Sequence, residues 1–263
     1  MHGLEHCFNG NASRFFVRSS LTGSFRIDFF RKTIDWIPPE RYPPVFVQMI
    51  VGVRMVGWLL PFVKRCLVLH ATTAIVRGKA ISFLGPSGTG KSTLLGTFLN
   101  KGHRFLSDDL AVIQPEGGRF TLQPGPPEIR LWSEAAAWLG LEGAGERLFP
   151  RAKKRRIHLP ADSRWRCARR PAPLRALYLL ARGSGDKVRI EPIDRREAWR
   201  AVSGNIYNQF TRNREVLLRQ FELTIALSRN IPVKRIFYPA QFQALPRVYD
   251  AVLDDLRSSE ALC

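Results

Sequence analysis

The chain has 263 residues, 45% of them hydrophobic and 24% charged, which suits one large soluble domain or a small domain beside a medium one. A formal net charge of +19 calls for an acidic partner, such as nucleotide phosphates, an acidic peptide, nucleic acid or an anionic membrane surface. Cys7, Cys66, Cys167 and Cys263 are too far apart for a CxxC site or a disulfide framework, so reduced thiols in a cytoplasmic protein are the default.

The polar N-terminus lacks a signal-peptide pattern. Alternation predicts strands at Phe15–Arg18 and Ser24–Phe30, and Pro38-Pro39 and Pro43-Pro44 bracket a loop. The apolar run Val45–Leu60 is long, but Gln48 and Arg54 are costly in hydrocarbon and Pro61 ends it early. A buried helix is therefore expected rather than stable membrane insertion. Strands follow at Leu67–Ala71, Thr73–Val76 and Ile81–Leu84, the last two joined as a hairpin by Arg77-Gly78-Lys79.

Gly85-Pro86-Ser87-Gly88-Thr89-Gly90-Lys91-Ser92-Thr93 fits the phosphate-binding P-loop, with a strand before it and a helix closed by Gly102 after it. Gly85, Gly88 and Gly90 let backbone approach phosphate, while Ser87, Thr89 and Thr93 belong to the same nucleotide-binding turn. Lys91 is expected at the β- and γ-phosphates of ATP, and the Ser92 hydroxyl on Mg²⁺.

A strand to Ser107, a kink at Asp108-Asp109 and a strand from Leu110 come next, then a turn at Glu116-Gly117-Gly118 and a return over Arg119–Leu122. One carboxylate of the pair could hold metal and the other accept a proton from an attacking hydroxyl; the competing reading is a solvated turn. After a Pro/Gly loop, Glu128 and Arg130 share a strand face and could meet metal and phosphate, or form a surface ion pair. Ser133 is expected to cap a helix over 134–139 that stops at Gly140. Lys153-Lys154-Arg155-Arg156 lies in the most basic stretch, a phosphate or acidic-peptide clamp or else a solvated face. Strands at Leu174–Leu180 and Lys187–Ile190 flank a Gly183-Ser184-Gly185 turn. Helices are expected from Asp194 to Val202, over 207–229 with Phe210, Leu217, Phe221 and Ile225 on one side, and over 247–256 after a strand at Val233–Phe237. His70, upstream of the loop, is either a core histidine or a catalytic one.

In their order, His70, the P-loop with its helix, Lys101-Gly102-His103-Arg104-Phe105-Leu106-Ser107-Asp108-Asp109 and Glu128-Ile129-Arg130 resemble the catalytic domain of HPr kinase/phosphorylase over about residues 66–132. The similarity is greatest to small HPr-kinase-like proteins, some of which phosphorylate serine on ribosomally made peptides such as lasso peptides. Leu131-Trp132 stands where the larger family continues with glycines, and the N-terminal region is short.

The resemblance implies an α/β P-loop core related to phosphoenolpyruvate carboxykinase, with a small N-terminal α+β region at 1–64 and a catalytic domain at 65–263. It implies ATP and Mg²⁺ as cofactors and a serine-bearing peptide or protein as substrate, and it leaves room for a homo-oligomer. By it, Lys91 holds phosphates, Ser92, Asp109 and Glu128 sit at the metal, Asp108 is the base with His70 nearby, and Arg130, Lys154, Arg155 and Arg156 form the clamp. An ABC-type ATPase would need an LSGGQ-like segment and a later apolar strand ending in Asp-Glu, neither of which occurs. A nucleic-acid-binding protein would suit the charge and Trp165 among arginines, but no recognised motif supports it.

Overall fold

The computed structural model describes residues 14–19, 23–28, 30–38, 55–148, 153–183, 185–207, 211 and 213–260. In chain order the elements are β1 (Arg14–Ser19), β2 (Gly23–Asp28), β3 (Thr33–Ile37), α1 (Val56–Val63), β4 (Leu67–Leu69), β5 (Thr72–Val76), β6 (Lys79–Leu84) and α2 (Lys91–Asn100). Then come β7 (Arg104–Ser107), β8 (Ala111–Glu116), β9 (Arg119–Leu122), β10 (Glu128–Trp132), α3 (Ser133–Trp138), β11 (Glu146–Arg147) and β12 (Lys154–His158). The last are β13 (Ala172–Arg182), β14 (Arg189–Pro192), α4 (Arg195–Ser203), α5 (Arg214–Asn230), β15 (Val233–Tyr238) and α6 (Leu245–Glu260).

The chain is an α/β protein whose described strands form two small antiparallel sheets and one curled central sheet. In the first small sheet, β1-β2-β3, Phe25 and Ile27 of β2 are buried with Met55, Trp58 and Leu59 from the start of α1. The expected apolar helix is described only from Met55 onward, and residues 45–54 lie outside the described residues. Pro61 does not end it. The helix carries a buried Pro61 and closes at Lys64, whose N–H bonds Leu60 O. No described helix is long and apolar enough to cross a membrane.

The central sheet runs β4-β8-β9-β13-β6-β5-β7, with β15 also on β13 and β14 on β15. Strands β6, β13 and β15 are mutually parallel, and the other pairings are antiparallel. The β5–β6 hairpin turns on Arg77 (φ 49°) and Gly78 (φ 79°). Two consecutive positive φ values give the tight turn whose twist matches the strands it joins. The Gly183–Gly185 turn does not pair β14 with β13. Instead β15 occupies that edge, from Leu177↔Val233 to Arg182↔Tyr238, and buries Ile236 and Tyr238 in doing so; β14 lies outside it.

Both faces of the parallel strands are covered, so they read as apolar runs rather than alternating ones. On β6, Ile81 and Phe83 face α2 and α6 through Leu94, Phe98, Val248 and Val252. Ala80 and Leu84 belong to the opposite core with Ala198 and Val202 of α4 and Leu223 and Leu227 of α5. Phe83 packs between Phe98 (5.4 Å) and Tyr178 (6.0 Å), and full burial of such a ring contributes about 1.5–3 kcal/mol.

Two helix expectations change. Asn213, not a residue near 207, caps α5 by accepting from Val216 N–H. Its buried side is Val216, Gln220, Leu223, Thr224 and Leu227, whereas Leu217 and Phe221 are 43% and 52% exposed. Ser133 does not cap α3; its hydroxyl and N–H both donate to Lys153 O, tying the helix start to the strand opposite.

Candidate active site

The P-loop leaves β6 at the C-terminal ends of the three parallel strands, where α/β sheets open a crevice for ligands. Gly85 has φ 139°, and a Cβ there would lie 3.2 Å from both the Leu180 carbonyl and the Thr89 hydroxyl. The loop is thus wedged against β13 at a point only glycine fits. No side chain caps α2 at Gly90, so its N-terminus is left to an anion. Lys91 is only 6% exposed, and its ammonium donates to Gly85 O (2.6 Å) and Pro86 O (3.1 Å). Burial pulls its pKa down to about 8 against the pull of Asp109 and Asp108. A buried ammonium held only by neutral carbonyls of the phosphate loop fits a nucleotide's phosphates, which would supply the missing negative charge.

Asn205, at the end of α4, accepts from Gly85 N–H through Oδ1 (3.1 Å), and its carbonyl accepts from His70 N–H (2.7 Å). Tyr238 donates its hydroxyl to Thr89 O. Neither residue carries a local sequence signal, since both reach the loop from far along the chain.

Asp108 and Asp109 follow β7 and diverge. Asp109 has φ 70°, uncommon for a residue with a side chain, and this backbone turn sends adjacent carboxylates to different places. Asp108 points inward: Oδ1 accepts from the Ser92 hydroxyl and Oδ2 from Arg130 N–H, both at 2.9 Å. Burial, and then the Asp109 charge, push its pKa up to about 6. Asp109 faces a cavity of about 400 Å³, with Arg130 Nη1 at 2.5 Å from one oxygen and His70 Nε2 at 3.7 Å from the other. Burial raises its pKa, but Arg130, His70, Lys154 and Lys91 outweigh that and hold it below the usual range. Burial keeps His70 below its ordinary pKa although Asp109 opposes it.

Ser92 and Asp108 suit a hard cation through oxygen. Among the described residues no group of three or more His, Cys, Asp and Glu could hold a metal, so phosphate and water would have to complete its shell. Glu128, expected at the metal, instead bridges two guanidiniums, with Arg130 Nη2 at 3.1 Å and Arg156 Nε at 2.6 Å. Cross-strand pairing of Arg130 with Arg156 brings both within its reach.

The expected basic clamp divides because strand residues alternate faces. Lys154 and Arg130 line the cavity. Arg156 is held by Glu128, and Arg155 points to the loop carbonyls of Gly143, Ala144 and Gly145. Arg155 is therefore a loop tie rather than a ligand group. The cavity wall also includes Arg182, Tyr238, Trp132, Gln241, Phe242 and Gln243, which the sequence reading did not single out. The one available signal was Trp132, a large apolar residue at the end of a strand.

No family model matches the chain. Over 107 residues it is 25% identical to HPr kinase/phosphorylase of Mycoplasmopsis pulmonis, a stretch that is 38% of this chain and 33% of that protein. The chain thus matches about a third of that relative's length. Among solved structures, the Hpr(Ser) kinase/phosphatase from Coxiella burnetii aligns over 74% of this chain and 98% of its own, with a TM-score of 0.38 and 12% identity. In sequence, this chain is similar over part of its length to HPr kinase/phosphorylase.

Proposed function

We propose that this protein is a P-loop kinase that transfers the γ-phosphoryl group of ATP, with Mg²⁺, to a serine hydroxyl of a peptide or protein. The observation that carries the proposal is the division of labour between the adjacent carboxylates. Asp108 is bonded to the P-loop serine, while Asp109 faces the cavity beside His70 and Arg130. The partial likeness to HPr kinase/phosphorylase points the same way.

In this reading Lys91 exchanges its bonds to Gly85 and Pro86 carbonyls for phosphate oxygens, and Ser92, oriented by its hydrogen bond to Asp108, would hold the cation. Bound magnesium supplies neutralisation of the phosphate charge. Asp109 accepts the serine proton as the hydroxyl oxygen attacks, and Arg130 and Lys154 offset charge on the transferring group. The carboxylate roles are thus the reverse of those expected from sequence, because both Asp108 oxygens accept hydrogen bonds from Ser92 and Arg130 while Asp109 lines the cavity. A serine-bearing ribosomally made peptide of acidic character in the cytoplasm suits the chain's net charge of +19.

The test is incubation with γ-labelled ATP, Mg²⁺ and serine peptides, read by mass spectrometry. Asp109→Asn should lower kcat by about 10²–10⁴-fold with ATP affinity nearly intact, and Lys91→Ala should lose ATP binding. Wild-type transfer by both folded variants would refute the proposal.

A further inference from the structure

The cavity has two chemically different halves. Around the loop and Asp109 it is charged, with His70, Lys91 and Arg130; Lys154, paired across the strands with Trp132, and Arg182 also line it. The other half is walled by Trp132, Ala135, Phe242 and Leu245, with Gln241, Gln243 and Glu134 beside them. Trp132 is 50% exposed although the other four residues of β10 are buried, so nothing in the core requires an indole there. Phe242 is stacked on Trp138, with centroids 5.6 Å apart and rings 16° from parallel, which fixes a flat aromatic surface in the wall.

We infer that this half is a nucleobase seat, in which a purine lies against Trp132 and Phe242 with its polar edge toward Gln241 and Gln243. The inference rests on the reading of the loop as a site for nucleotide phosphates. Flat apolar walls accept any base by its π-face, and primary amides both donate and accept, as a base edge does. Glu134 can accept from ribose hydroxyls. Thr93, at the start of α2, also lines the cavity, so the phosphate cradle and the aromatic half are continuous.

The experiment compares ADP, inorganic pyrophosphate and adenosine as probes, by calorimetry and tryptophan fluorescence. ADP should bind the wild type at least tenfold more tightly than pyrophosphate. Trp132→Ala and Phe242→Leu should each weaken ADP about tenfold, consistent with the loss of base stacking, and leave pyrophosphate affinity within about twofold. ADP and adenosine should quench the fluorescence that Trp132→Ala removes, and pyrophosphate should not. Equal weakening of ADP and pyrophosphate would overturn the inference. So would unchanged ADP affinity with a raised KM for a serine peptide, which would make this half the acceptor's seat. Failure of the phosphate reading is a separate result. Pyrophosphate would then not bind, or would bind Lys91→Ala as well as wild type, and adenosine quenching in Lys91→Ala would still decide the base seat.

Discussion

Asp108→Asn should make the protein more stable and less active, and the gain should depend on pH. Asp108 is buried, and its carboxyl rises from the ordinary 3.8 to about 6, through burial first and the neighbouring Asp109 charge second. For an acid whose folded pKa is raised, the folded state prefers the protonated form. That contribution is fully present below the unfolded pKa and is lost as pH rises through the folded one, here between about 4 and 6. At about 1.4 kcal/mol per pH unit, an ionised Asp108 costs the native state about 3 kcal/mol at pH 7.5. Asparagine has the shape of the protonated acid and carries no charge. Like that acid, it offers one acceptor to the two donors, Ser92 Oγ and Arg130 N–H, so this mismatch largely cancels when two pH values are compared. Urea unfolding of wild type and variant at pH 4 and pH 7.5 should show a stability difference about 2–3 kcal/mol more favourable to the variant at the higher pH. The corresponding melting shift is about 4–12 °C. Phosphoryl transfer should fall in the same variant, because Ser92 loses its charged partner. An equal stability difference at both pH values would refute the reasoning.

Other substitutions separate structure from chemistry. Arg130→Met leaves the buried Glu128 and the partly exposed Asp109 without their shared guanidinium and should cost about 3–5 kcal/mol in denaturant unfolding. Adding Glu128→Gln should recover part of this, and a loss below about 1 kcal/mol would mean the cluster is solvated. Arg155→Ala should lower stability by about 1–2 kcal/mol, through its lost bonds to the 143–145 carbonyls, with KM for ATP unchanged. Lys154→Gln should raise KM for ATP with little change in melting temperature; the opposite pattern in this pair of variants would reverse the assignment.

The phosphate loop was legible because its chemistry is local: glycines, lysine and serine at fixed spacing, between a strand and a helix. The hairpin on Arg77-Gly78 and the turn at Asp108-Asp109 were legible for the same reason. What the sequence could not show is direction. Lys154, Arg155 and Arg156 read as one basic cluster, and only pairing with β10 reveals that Arg155 leaves the cavity for a loop. Glu128 and Arg130 share a strand face, as alternation requires, but the guanidinium of Arg156 across the pair decides that Glu128 is neutralised there. Leu217 and Phe221 of α5 made an apolar stripe on paper, while the buried side is built around Gln220 and Thr224, polar residues that such a reading overlooks.

The bond from Asn205 to Gly85 joins residues 120 positions apart, and the strand beside β6 on its parallel edge is β13. The loop's glycines and lysine are thus made early, but the support that holds their first amide arrives only with α4. Contacts so distant in sequence require long loops to close before they contribute, which slows assembly. During synthesis the P-loop would therefore emerge as an unsupported turn, and a phosphate-binding cradle would exist only after the chain has passed Asn205. Competence to bind nucleotide then reports that β13 and α4 are in place, so a nucleotide added during refolding would favour a core that contains them over an earlier partly assembled one.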